Sequence, residues 1–363
     1  MTQNGNNVII LGGYGAAGKA IASLLGKSLS GTITLAGRSI VKAQQMVIRL
    51  ESDAGFQANL RAELVDVSDE AQARQCSEGQ DVVVVACDIS SASIENLAKG
   101  CLTNKADYID ITPHPYKLPV FKKMRDLIEA SESRFVLDAG ADPGLPGWLA
   151  RWLDERAAGN LREVVMYGRY RSTDIGLGGV ADIIRASDRQ GWIYDRSWRK
   201  SQFWNLRFKR FEGGLGTSLC VPVLLDELEF IPHELLLEKL RFYHAGLNPI
   251  TNTLMMLEKA GVLDRIPFGF RQNAFYKALM TFTGRPFGLS LSAESLGSEP
   301  NRQVWIGHPD LYLATAIPAA IMCKLLVAKT NLVPGYGYLG QWAIQHKEFL
   351  AELQNEGYWY MEL

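Results

Sequence analysis

The chain has 363 residues, of which 47% are hydrophobic and 21% charged, and 38 Lys and Arg against 39 Asp and Glu leave a formal net charge of -1. That length suffices for two domains with sizeable cores, and the charge balance argues against nucleic acid or an anionic membrane as the main partner. Cys76, Cys87, Cys101, Cys220 and Cys323 lack CxxC spacing, and His233, His244 and His346 stand singly, so neither a disulfide framework nor a metal site is expected.

The first seven residues are short and polar, unlike an export signal, so a cytoplasmic protein is expected. The apolar run Val8-Ile9-Ile10-Leu11 then predicts a strand, Gly12-Gly13-Tyr14-Gly15-Ala16-Ala17-Gly18 a tight turn, and Lys19 to Leu25 an amphipathic helix. This is how a dinucleotide-binding fold begins. The glycines make the turn, admit a pyrophosphate and let helix and strand pack closely, while the helix N-terminus offers free N–H groups to the anion. Two registers fit, GxGxxG through Gly13, Gly15 and Gly18 or GxxGxxG through Gly12, Gly15 and Gly18.

A second strand, Thr32 to Ala36, leads to Gly37-Arg38-Ser39. An acid here would hold the ribose 2′-hydroxyl of NAD, whereas Arg accommodates a 2′-phosphate. Arg38, with Ser39 as a hydroxyl donor beside it, predicts NADP. A helix over 41–50 and a strand over 62–65 follow, ending at Asp66-Val67-Ser68; Asp66 and Val67 are placed beside the adenine, and Asp66 and Ser68 equally read as caps of the next helix. The fourth strand, Asp81 to Cys87, is a continuous apolar run of the kind covered on both faces of a parallel sheet. Ala86, Cys87 and Ser90 at its end are expected on the nicotinamide side, Ser90 doubling as a helix cap. Cys87 is read as an apolar filler rather than a nucleophile.

The fifth strand, 107–111, leads to Thr112-Pro113-His114-Pro115, a helix is expected over about 119–130, and the sixth strand, 135–138, leads to Ala139-Gly140-Ala141-Asp142-Pro143-Gly144. Alternating strands and helices predict an α/β domain with a Rossmann-type, doubly wound parallel sheet. His114, Asp110 and Asp142 are candidate catalytic groups; His114 has the unperturbed pKa best suited to proton transfer, and Asp142 reads also as a helix N-cap. From Leu161 the texture changes to aromatic and basic, with a strand over 161–171 and a hairpin joining 287–293 to 303–307. This predicts a second, α+β domain with a mixed or antiparallel sheet. Arg169 and Arg171 end its first strand and are the candidate grips for a substrate carboxylate. Arg185, Arg189, Arg196, Arg199 and Lys209 lie among aromatic residues and read mostly as a solvated face. Pro318 and Lys324 interrupt the apolar segment 311–327, which is read as a buried helix, so no membrane partner is expected.

The glycine turn, Arg38, Tyr108-Ile109-Asp110, Asp138 to Leu145, His308 to Ala316 and Val333-Pro334-Gly335-Tyr336-Gly337 together resemble the saccharopine dehydrogenase-like oxidoreductases. The stretch from about Asp174 to Arg285 matches only loosely. The resemblance implies a dinucleotide-binding domain over 1–145, a substrate and dimerisation domain over 146–308, a segment over 309–363 that returns to the first domain, a homodimer, and hydride transfer at a C–N bond between amino-acid units. Three readings stand: an NADP-dependent oxidoreductase of an amino-acid-derived small molecule, a reductase of a C=C or C=O bond in an apolar substrate, and an NADP-binding protein without turnover.

Overall fold

Four consecutive valines, Val82–Val85, form a strand whose side chains are all fully buried, and this strand stands in the middle of a parallel sheet. A strand sandwiched between helix layers has no wet face, so its residues need no polar alternation. In the computed structural model, residues 6–53, 55–113, 117–173, 175–177, 179–181, 184, 191–202, 205–259, 261–297, 301–329 and 332–363 are described. Two units divide the chain, Met1–Leu145 with Thr315–Leu353, and Pro146–Ala314 with Gln354–Leu363.

Numbered along the chain, the strands of the first unit are β1 (Asn6–Leu11), β2 (Gly31–Gly37), β3 (Asn59–Leu64), β4 (Val82–Val85), β5 (Asp107–Asp110), β6 (Arg134–Leu137) and β15 (Gly335–Tyr338). Their order is β15-β6-β5-β4-β1-β2-β3, with every neighbour pair parallel. The order reverses at β1, which lies between β2 and β4. In open parallel sheets such a switch point opens the crevice that receives a dinucleotide.

The helices include α1 (Ala16–Gly26), α2 (Ile40–Glu51), α3 (Glu70–Gln75), α4 (Ser91–Asn104), α5 (Lys117–Lys123) and α6 (Arg125–Glu129). The single helix expected over 119–130 is thus two short ones, with Met124 between them out of helical geometry. Neither Asp66 nor Ser68 caps α3; Asp69 does, its Oδ1 accepting from Gln72 N at 2.9 Å. Asp66 instead closes a local turn, accepting at Oδ1 from the Ser68 N–H and hydroxyl.

The second unit holds β7 (Glu163–Arg171), β8 (Trp192–Asp195), β9 (Trp198–Lys200), β10 (Arg207–Phe211), β11 (Gly216–Pro222), β12 (Lys239–Ala245), β13 (Gly288–Leu296), β14 (Gln303–His308) and β16 (Trp359–Glu362). The main path of this sheet is β10-β11-β12-β7-β13-β14-β16. β7 and β12 pair in parallel and the other pairs are antiparallel, so the sheet is mixed. Val165, Phe211, Cys220, Tyr243 and Trp305 form a core cluster in this unit. The segment 311–327 is helical throughout despite Pro318, with Ile317, Ile321 and Met322 fully buried. No helix among the described residues is long and apolar enough to cross a membrane.

A close backbone approach lies between α1 and the end of β1. A Cβ placed on Gly18 would lie 2.3 Å from the Gly12 carbonyl oxygen, and Gly12 itself has φ +79°. Gly18→Ala therefore forces helix and turn apart. The expected outcome is a loss of about 1–3 kcal/mol of stability, read as a lower denaturation midpoint in urea.

Candidate active site

The turn between β1 and α1 is drawn tight by backbone bonds. Gly12 N donates to the Ala36 carbonyl at 2.8 Å, and Gly15 N donates to the Gly12 carbonyl at 2.8 Å. Cβ atoms at Gly12 or Gly13 would meet atoms of Ala86, Cys87, Ile10 or Leu35 at 2.8–2.9 Å, whereas at Gly15 one would meet only Gly12 O, at 3.1 Å. The left-handed turn is therefore at Gly12, the close helix packing at Gly18, and the approachable backbone at Gly15, which favours the GxxGxxG register and leaves Gly13 wedged between β1 and β2. Gly15 is also the N-cap of α1, in extended geometry and without a side-chain cap, so the first N–H groups of Ala16, Ala17 and Gly18 are those an anion would meet. This cradle fits a pyrophosphate.

At the end of β2, Ser39 caps α2, its Oγ accepting from Lys42 N at 3.4 Å. The hydroxyl hydrogen stays available as a donor beside Arg38. The Arg38 charge lowers the Asp66 carboxyl pKa after the larger effect of Ser68, and it opposes the effect of burial on Cys87. Burial dominates at Cys87, pushing its thiol up to about 11, so the filler reading suits this site. Tyr14 packs against Gly37 and, with Lys42, Gln45, Met46 and Arg49 of α2, lines a recess. Lys42 and Arg49 bring to this recess two cations that the sequence did not single out. Ser90 caps α4, accepting from Ser93 N at 3.1 Å.

At the ends of β5 and β6 lies a closed ionic cluster. Lys117, at 1% exposure, donates to Asp110 Oδ1 at 2.5 Å, to the Thr112 carbonyl at 2.8 Å, and to Asp138 Oδ1. An ammonium has three N–H donors, and all three are engaged. Burial alone would lower the lysine pKa, and the carboxylates of Asp110 and Asp138 outweigh it and raise it. Asp110 Oδ1 also accepts from Asp138 N at 3.0 Å, and Asp138 is held at φ +53°. The cluster thus ties Thr112, after β5, to Asp138, after β6; Asp138, a candidate proton donor by sequence, serves here as a brace, and Lys117 is the residue that the sequence did not single out. Asp110 is taken up in this brace, its Oδ1 receiving two donors.

Of the other candidate catalytic groups, His114 lies outside the described residues. Asp142 is half-buried and stands three positions ahead of α7 (Leu145–Arg156), so it does not occupy the position before the first helical residue. In the second unit, Arg169 is 8% exposed and donates through Nη1 to the Gly216 carbonyl at 3.1 Å. Burial, and then the charge of Arg171, lower its pKa. Arg196 and Arg199 form exposed ion pairs with Glu238 and Asp195, as a solvated face would, while Arg185, Arg189, Phe203 and Trp204 lie outside the described residues.

Lys117→Met removes the counter-charge from two buried carboxylates. A destabilisation of about 3–5 kcal/mol is expected, because an uncompensated buried charge is costly, and thermal denaturation at the wild-type midpoint would contradict the bracing role.

The profile of the saccharopine dehydrogenase NADP-binding domain matches residues 8–135. An apo, histidine-tagged saccharopine dehydrogenase (L-Glu forming) from Saccharomyces cerevisiae shares the fold, with 13% identity, coverage of 99% of this chain and 100% of that one, and a TM-score of 0.69. An oxidoreductase from Sinorhizobium meliloti aligns at 13% identity over 99% of this chain and 100% of its own, with a TM-score of 0.44. A short-chain type dehydrogenase/reductase from Mycobacterium ulcerans aligns at 15% identity over 36% of this chain and 66% of its own, with a TM-score of 0.31. No curated protein matches. Residues 8–135 thus carry an NADP-binding domain of the saccharopine dehydrogenase type, the chain as a whole shares the fold of the yeast enzyme, and it is an NADP-dependent oxidoreductase.

Proposed function

We propose that this oxidoreductase transfers hydride between NADPH and the C–N bond of an amino-acid-derived substrate, most simply by reducing an imine to a secondary amine. The observation that carries this reading is the pair Arg169 and Arg171, two positions apart on β7, each with a buried Nε that has no hydrogen-bond partner among the described residues. Guanidinium groups placed so are suited to carboxylates, which an apolar substrate lacks. The reading also takes the protein as a cytoplasmic homodimer.

The cofactor supplies the hydride. Among this chain's own residues, the Gly12 to Gly18 turn with the α1 N-terminus would hold the pyrophosphate, and Arg38 with the Ser39 hydroxyl would receive the 2′-phosphate. Asp66 and Val67 border the adenine, and Ala86, Cys87 and Ser90 border the nicotinamide side. His114 and Asp142 are the two groups left to deliver the proton that a developing amine requires. Arg169 and Arg171 orient the substrate by its carboxylate.

Two experiments address these assignments. Arg38→Asp should weaken NADPH binding by about 10- to 100-fold, the loss of one or two charge-assisted hydrogen bonds, with little effect on NADH; equal losses in a fluorescence titration would contradict the 2′-phosphate role. Screening NADPH oxidation against pools of amino acids paired with 2-oxo acids or aldehydes should give turnover in a carboxylate-bearing pool. Turnover confined to apolar enones or ketones would instead support the second reading.

A further inference from the structure

β7 and β13 pair antiparallel with Arg169 opposite Ser290, Tyr167 opposite Ser292 and Arg171 opposite Gly288. Because side chains alternate along a strand, Tyr167, Arg169 and Arg171 share one face with Ser290 and Ser292. Directly opposite residues in such a pair have Cβ atoms about 4.5–5.5 Å apart, and diagonal ones are still within reach of a long side chain. Arg169 can therefore meet both serines.

Both serines are 0% exposed, and neither hydroxyl has a hydrogen-bond partner among the described residues. Arg169 Nε is likewise buried and unpartnered, and so is Arg171 Nε. Buried polar atoms normally find partners, and four orphaned donors on one pair of adjacent strands is a concentration that asks for an acceptor. The nearby carboxylate does not serve. Glu294 of β13 is engaged by Lys209 and accepts from Gln303 Nε2 at 3.0 Å, and Lys209 Nζ itself lies 4.9 Å from the ring centroids of Tyr167 and Trp305.

We propose that Arg169, Ser290 and Ser292 form a cradle for one carboxylate, with Arg171 as a second cation beside it. The guanidinium and the two hydroxyls donate, and the carboxylate oxygens accept. A carboxylate has two acceptor oxygens in one plane and suits a guanidinium edge flanked by hydroxyls. Assigning that carboxylate to the substrate rests on the proposed C–N chemistry; its binding does not. Ser290 and Ser292 thereby become specificity residues on a strand distant in sequence from the arginines.

The test is isothermal titration of the full-length protein with succinate, 2-oxoglutarate and inorganic phosphate, for wild type, Ser290→Ala, Ser292→Ala and Arg169→Gln. Saturable binding of a carboxylate is expected, and the two serine variants should each weaken it by about 10- to 100-fold, one hydrogen bond to a charged acceptor each, with NADPH affinity unchanged. Should Arg169→Gln fail to fold, the serine variants, which remove only a hydroxyl, still decide. No carboxylate binding in the wild type, phosphate as the only ligand bound, or binding indifferent to both serine variants would overturn the cradle. Carboxylate binding that needs the serines, without NADPH oxidation in any pool, would uphold the cradle and remove the C–N reading; oxidation whose KM for the carboxylate substrate ignores both serines would do the reverse.

Discussion

The approach of α1 to the end of β1 governs the first unit. Gly18 leaves no room for even a methyl group between the helix and the Gly12 carbonyl, and this contact aims the α1 N-terminus at the carboxyl edge of the sheet. The same edge holds the ends of β2, β4, β5 and β6, because every pair in the sheet is parallel. One close backbone contact therefore gathers the helix dipole, Arg38, Ser90 and the loops after β5 and β6 at one rim. The anion-binding character of that rim follows from backbone geometry, and the proposed 2′-phosphate contact rests on a single side chain, Arg38, just after β2.

The second constraint at that rim is ionic. Asp110 ends β5 and Asp138 follows β6, and two adjacent parallel strands bring these carboxylates together. Lys117, from the first turn of the next helix, pairs with both and donates to the Thr112 carbonyl. A buried ion cluster is no efficient source of stability compared with apolar packing, but it is strongly directional. Here the direction is what matters: it fixes two loops that would otherwise bend independently.

Local signals were legible in the sequence. The run from Val8 to Leu25 announces strand, turn and helix in unbroken succession, and the apolar 81–87 stretch can hardly be anything but a buried strand. What stayed hidden depends on pairing across long separations. Lys117 falls in a polar stretch of ordinary appearance, and its meaning comes from an acid seven residues before it and another 21 after it. Strand β15, Gly-Tyr-Gly-Tyr, has no apolar run and joins β6 across almost 200 residues. The α3 cap misread as Asp66 or Ser68 is a different failure. Asp66, Ser68 and Asp69 are all competent caps, and only the helix start at Glu70 selects Asp69.

Ser290 and Ser292 were invisible for a further reason, since serine in a strand carries no signal until the register is known. The register puts them beside arginines that have no acid among the described residues, on the same sheet as a lysine that has one. Lys209 and Glu294 show how this sheet treats a charge it must merely tolerate: it supplies an opposite charge and covers the ammonium with Tyr167 and Trp305. Arg169 receives one carbonyl and a distant ring face, Phe211 at 5.8 Å, and no counter-charge among the described residues. A fold selected for stability alone would place an apolar side chain there, because buried cations without acids are destabilising. The difference between the two cations, on the same sheet, is what the proposed carboxylate cradle accounts for: Lys209 has its acid within the fold, and Arg169 would receive one from a ligand.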